Sequence, residues 1–165
     1  MPSGKVHDKV SFALLPLVAG GSYYITNDIK QTGILSVSYI FSALMFSGDL
    51  DIRSKQTNRW KFLKFIWIPY KKMFRHRSKF THGVVLGTIV RVLYLTAVII
   101  GFLILGNLFS NFIFGKEVVD IKMFIENSKN IIIENSQIVL TIFIGLMIGS
   151  LSHSLTDFLH SAFRR

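Results

Sequence analysis

"GVVLGTIVRVLYLTAVIIGFLILG", residues 83–106, holds 24 consecutive positions of which only Arg91 is charged. About 20 such residues cross the hydrocarbon core of a bilayer as an α-helix, so this stretch predicts a transmembrane segment. The competing reading, a soluble bundle with a large core, leaves so long an apolar run unexplained. Composition points the same way: half of the 165 residues are hydrophobic and the mean hydropathy is +0.46, more apolar than a soluble domain of this size needs. One domain over 1–165 is expected.

Working outward, three shorter apolar segments flank this one, at 10–26, 33–48 and 137–152. They lie at the lower edge of spanning length, so tilt or local bilayer thinning is expected of them. The polar connector "NDIKQTG" between the first two suggests a helical hairpin. The expected fold class is therefore all-α: a helical integral membrane protein with about four apolar helices. Between the third and fourth segments, residues 107–136 read as a mixed amphipathic stretch on the opposite face. Lys5 and Lys9 before an apolar run, with "VAGGS" behind it, superficially suit a secretory signal. Retention is the expectation, since the same segment pairs with the second as a hairpin.

The connector between the second and third segments, residues 49–82, carries most of the charge. Ten of the 19 Lys and Arg lie between Arg53 and Lys79, in a chain of net charge +10. Near the ends of spans the basic side stays in the cytoplasm. Fourteen Lys and Arg fall on one side against four on the other, which predicts a plasma (inner) membrane protein with both termini cytoplasmic. Within the connector, "NRWKFLKFIWIPYKKMF" places Trp60, Leu63 and Trp67 at helical spacing before Pro69, where the helix should end or kink. A basic, aromatic helix of this kind is expected to lie among lipid headgroups. Membrane lipid is thus the expected partner, ahead of nucleic acid.

There is no cysteine, so a metal site would have to use histidine and carboxylate. The topology places His7, Asp49, Asp51, His76, His82, His153 and Asp157 on the same predicted cytoplasmic face. His153 and Asp157 are four apart, which aims both at one point on a helix, and His160 follows one turn on. Asp49 and Asp51 in "GDLDIRSK" sit just past a helix end, where a loop can turn both towards a cation. Such donors suit zinc, manganese or iron without distinguishing them, and their number leaves room for two ions. Zinc or manganese is the leading expectation. Arg91, inside the long apolar segment, either snorkels, pairs with a buried group or holds an anionic substrate; Arg77 in the basic block is the other substrate-binding candidate.

The run from Asp49 to Leu95, with "PSGKVHDKV" at the start and "GSLSHSLTDFLHSAFRR" at the end, resembles an uncharacterised bacterial family described as predicted metal-binding proteins. It is more distantly similar to YdjM-like inner-membrane predicted metal-dependent hydrolases. These share an early histidine, an Asp-x-Asp pair, a "HR...[ST]H" pair and a final "SHxxxD" helix, and the likeness covers most of the chain outside 107–136. The resemblance implies that the same seven residues are ligands or catalytic carboxylates; His160 has no counterpart. Gly48 stands where that pattern usually has proline. A remoter likeness to zinc-dependent phospholipase C and helical single-strand nucleases is analogy alone.

The sequence thus leads to a membrane-bound metal-dependent hydrolase of an anionic small-molecule or lipid phosphoester, with Asp51 or Asp157 as general base. A non-enzymatic protein that senses, stores or passes metal is the alternative. A transporter fits less well, because transport sites lie near the bilayer midplane. Oligomeric state is not readable.

Overall fold

A computed structural model describes residues 3–74 and 78–163, the side chain of Lys79 apart. The described residues form helices α1 (Gly4–Thr26), α2 (Ile29–Met45), α3 (Lys55–Arg59), α4 (Trp67–Met73), α5 (Lys79–His82), α6 (Val84–Phe114), α7 (Ile121–Glu134) and α8 (Ser136–Ala162), with 3-10 turns at Gly48–Asp51 and Lys61–Ile66. No strand occurs among them. Among the described residues, three stretches are long and apolar enough to cross a membrane: Ile29–Asp51, Val84–Phe114 and Ser136–Ala162. The first apolar segment is helical but is not among the three, because Gly20, Gly21, Ser22, Tyr23 and Tyr24 dilute its second half.

Several boundaries differ from the sequence expectation for local reasons. The hairpin loop shrinks to two residues. Asn27 takes a left-handed conformation (φ 48°) and its N–H bonds to Tyr23 O, while Asp28 caps α2 by accepting from the Lys30 and Gln31 amides. This is the capping role that short carboxylates fill at a helix start. α6 runs on to Phe114, where Gly115 (φ 63°) stops it. At 31 residues it is about 46 Å long, beyond the ~30 Å hydrocarbon core. Asn107 in its last turns accepts from the Val118 and Val119 amides, tying down the link to amphipathic α7. Pro69 does not end the connector helix. It occupies the first turn of α4, where a backbone N–H has no intrahelical acceptor to lose.

The centre of the assembly is the pair α2 and α8, which run parallel. Gln31 meets Thr141, Leu35 and Ser38 meet Gly145, and Tyr39, Ser42 and Ala43 meet Gly149. Gly145 and Gly149 are four apart, the small-xxx-small spacing that lets two helix backbones approach closely. A Cβ on Gly149 would lie 2.5 Å from Tyr39 O, and one on Gly145 2.7 Å from Leu35 O. Ser42 Oγ uses that proximity to donate to Leu146 O at 2.6 Å.

The connector is more deeply packed than a headgroup helix would be. Trp67 and Tyr70 are fully buried in a cluster with Phe46, Leu50, Ile66 and Leu146, and Trp60 stacks edge-on against Trp67. Three consecutive carbonyls left open at the end of α2 are closed from this side. Ala43 O accepts from Gln56 Nε2 at 3.2 Å, Leu44 O from Arg59 Nη1 at 2.9 Å and Met45 O from Trp60 Nε1 at 2.9 Å. Phe62, Phe65 and Ile68 still face outward. Of the three candidate spans α6 is the least covered: only 6% of its most apolar window is buried inside the protein.

Gly149→Ala should separate α2 from α8 and cost about 1–3 kcal/mol, the usual penalty for overpacking. Gly106→Ala, whose Cβ would meet nothing within 4 Å, should be neutral or slightly stabilising. Thermal unfolding of both variants in the same detergent checks the contrast.

Candidate metal centre

The ridge that packs against α2 also carries two of the candidate ligands. Gly145, Gly149, His153 and Asp157 succeed one another at intervals of four, so they form one row along α8. Just past the end of α2, the 3-10 turn Gly48–Asp51 brings Asp49 to His153. The α1 hairpin returns His7 to the same place, held by the bond from Tyr39 Oη to Ser11 O at 2.9 Å. His82, at the end of α5, comes in from the fourth side.

Asp49, His82, His153 and Asp157 each present a donor atom within 4.8 Å of all the others. The closest approaches are His153 Nε2 to Asp49 Oδ1 at 3.4 Å, His153 Nε2 to Asp157 Oδ2 at 3.6 Å and His82 Nε2 to Asp49 Oδ1 at 3.9 Å. Donors about 2.0–2.2 Å from one tetrahedral ion stand roughly 3.3–3.6 Å apart, so the closest of these spacings already suit a shared cation and the wider ones would draw in around it. His7 joins as a fifth group, its ring stacked on His153 with centroids 4.1 Å apart and its Nε2 3.5 Å from Asp157 Oδ1.

Asp49 Oδ1, His153 Nε2 and both carboxylate oxygens of Asp157 are buried and make no hydrogen bond. A buried carboxylate without a hydrogen bond or cation is costly, and here the orphaned atoms converge on one point. A divalent ion satisfies all of them together. Imidazole and carboxylate donors fit zinc, manganese or iron and do not choose among them.

Asp51 lies on the other side of the His82 ring, its Oδ2 3.8 Å from Nδ1, whereas Asp49 faces Nε2. Its side chain is wholly buried, and a hydrogen-bond partner of His82 Nδ1 is Thr81 Oγ1 at 3.0 Å. His76 and Arg77 lie outside the described residues. His160 stands apart, lining an apolar groove with Val6, Val10, Thr156, Leu159 and Phe163.

Arg91 is completely buried, and its two Nη atoms bond to uncharged groups while Nε makes no hydrogen bond. Nη1 donates to Thr81 O at 2.7 Å, while Nη2 donates to Thr88 Oγ1 at 3.1 Å and Ser150 Oγ at 2.9 Å. The guanidinium therefore clamps the residue before His82 to the α8 turn before His153. Gly87 makes room for it: a Cβ there would sit 2.8 Å from Thr81 O.

Three features of the site go beyond the sequence reading. Gln56 Nε2 lies 3.3 Å from His153 Nδ1 and steadies that ring; nothing in its local sequence marks it. The row of four-residue steps ending in His153 and Asp157 was visible as Gly-xxx-Gly-xxx-His-xxx-Asp. Gly48 is the third, since a Cβ there would lie 3.0 Å from His82 Cδ2 and Nε2. Its bare backbone leaves space for the imidazole.

Beside the cluster, Asp8 Oδ2 accepts from Arg59 Nη2 at 2.8 Å and from Lys55, joining α1 to α3. Burial would raise the Asp8 carboxyl, but the two cations outweigh it and hold it below its ordinary value. A depressed folded-state value means that this tether is intact above the ordinary carboxylate range and is lost as pH falls through the lowered value. Asp8→Asn should remove that part of the acid sensitivity of unfolding below about pH 4, measured by acid titration of helicity in detergent.

Gly48→Ala should displace His82 by a few tenths of an ångström and weaken metal affinity by about 10–100-fold, the range seen when the support of a ligand is disturbed, while leaving helicity unchanged. Competition with a chromogenic chelator measures it.

No solved structure matches this chain. A curated relative from Aquifex aeolicus (strain VF5), an uncharacterized protein, is 45% identical over 60 residues, which cover 36% of this chain and 42% of the relative. The chain thus spans less than half the length of the relative it matches. Residues 2–165, nearly the whole chain, match the family described as uncharacterized metal-binding protein (DUF2227), and the chain belongs to that family.

Proposed function

We propose that this protein is a membrane-embedded, metal-dependent hydrolase of phosphoesters, with Asp49, His82, His153 and Asp157 holding a divalent ion at the cytoplasmic end of its helices and His7 completing the set. The observation that carries the reading is the convergence of buried Asp49, His153 and Asp157 atoms that make no hydrogen bond on one point, which His82 also faces. Membership of a metal-binding family supports the ion. The comparisons reach neither the YdjM-like hydrolases nor any activity, so the hydrolytic step rests on the chemistry of the site.

A divalent ion bound there supplies Lewis acidity, lowering the pKa of water and offsetting charge on phosphoryl oxygens. The chain's own residues do the rest. Of the two carboxylates suited to proton transfer, Asp157 is the better placed, because Asp51 is buried behind His82. His7, stacked on His153 and facing Asp157, keeps that carboxylate directed into the site. Arg91 fixes the distance between the His82 and His153 elements, a positioning role in place of the substrate contact considered for it.

Membrane location is supported by the three helices of sufficient length and apolarity. The cytoplasmic placement follows from the charge bias in the sequence. Because the chain has no native cysteine, single reporters at Lys5→Cys and Lys116→Cys can be labelled without background. Labelling of the first from the cytoplasm and of the second from outside is expected; the same side for both would refute the topology.

Elemental analysis of the detergent-purified protein should find about one or two divalent ions per chain. A double variant, His82→Ala with His153→Ala, should lose them, and hydrolysis of a phosphoester such as p-nitrophenyl phosphate should stop on chelation and return with metal. Equal metal in both proteins, or none in either, sinks the site. Stoichiometric metal without turnover makes the protein a metal holder or sensor.

A further inference from the structure

We infer that the cavity beside the metal centre is an anion site that takes the phosphate monoester group of the ligand, with Arg53 and Lys55 as its binding cations and Arg59 behind them. The inference rests on the metal-dependent reading above and names the chemical class of substrate that site would accept. The cavity, about 200 Å³, is bounded by the ligands His7, Asp49 and His153 on one wall and by Arg53, Lys55 and Arg59 on the other. Drug-sized ligands need about 300–1,000 Å³. This space therefore suits a compact charged group, with any larger remainder of the molecule lying outside.

The cations are held at that wall. Asp8 Oδ2 takes both Lys55 Nζ and Arg59 Nη2, so one carboxylate gathers two positive charges and leaves the wall net positive. The stem of Lys55 lies on bare backbone at the start of α1: a Cβ on Gly4 would come within 2.9 Å of Lys55 Cβ and Cδ. Glycine at that position lets the lysine cross over the cavity mouth. Arg53 stands at the edge shared with a second cleft, lined by Phe62, Phe65, Ile68 and Lys71 among others.

A doubly charged phosphate placed between this wall and a divalent ion is neutralised from both sides, and the Arg53 fork matches its oxygens. A neutral ligand would leave the positive charge that Asp8 does not balance without a partner. The apolar and basic cleft beyond Arg53 offers a path for a lipid body, while a soluble ester would use the cavity alone. The phosphate chemistry is common to both.

The test uses the full chain in detergent, reloaded with metal and assayed for metal content. Inorganic phosphate, glycerol 3-phosphate and dihexanoyl phosphatidic acid are each titrated calorimetrically into wild type, Arg53→Gln, Lys55→Gln and the double variant. Each single change should weaken phosphate binding about five- to tenfold, allowing for solvent screening of exposed cations, with metal per chain unchanged. Tighter binding of phosphatidic acid than of glycerol 3-phosphate assigns the group to a lipid; the reverse assigns it to a soluble ester, and either supports the site. Equal phosphate affinity in wild type and double variant at full metal occupancy overturns the anion site and leaves the metal centre standing. A wild type that takes up no metal removes the reading on which both depend.

Discussion

The close approach of α8 to α2 is the constraint on which the rest of the molecule depends. Side chains at 145 or 149 would hold the two backbones apart; glycine at both lets Ser42 reach a carbonyl of the facing helix. In an apolar medium the hydrophobic effect gives little reason for two helices to associate, so contact at this range and polar bonds across it must supply the attraction. Four residues further along the same row the side chains become imidazole and then carboxylate. The register that seats the glycines therefore also sets how far His153 stands from Asp49.

The basic connector completes what that pair leaves open. A helix that ends inside a structure must find donors for its last carbonyls, and Gln56, Arg59 and Trp60 provide three in succession for α2. The same segment contributes Trp67 and Tyr70 to the core and Gln56 to the His153 ring. Its charge had suggested a surface role, and part of it does remain at the surface: Phe62, Phe65 and Ile68 point away. The inner half, however, is a structural cap over the metal centre.

Much of this was legible from the residues alone. The long apolar run around Arg91 is helix α6, and the histidine and aspartate placements did converge for His7, Asp49, Asp51, His82, His153 and Asp157, because alternation of helices brings their ends to one face. What escaped was set by tertiary contact. Pro69 could be read as a helix stop, but its effect depends on which turn it occupies. Trp60 and Trp67 could be read as interfacial, since spacing shows that aromatics share a face and not what covers it. Asp51 looked equivalent to Asp49; only the position of the His82 ring between them separates their roles. Arg91 resisted assignment because its partners, Thr81, Thr88 and Ser150, are neutral groups with no distinctive pattern.

The candidate ligands come from the first helix, the turn after the second, the end of the fifth and the last. During synthesis, His7 and Asp49 are made long before His153 and Asp157 exist, and the glycine row that would place the latter is made with them. A growing chain accordingly contains half a site, with one carboxylate and one or two imidazoles too loosely arranged to hold an ion well. Metal capture becomes a late event that waits for α8 to dock, and a chain carrying its ion is one whose assembly has already been completed.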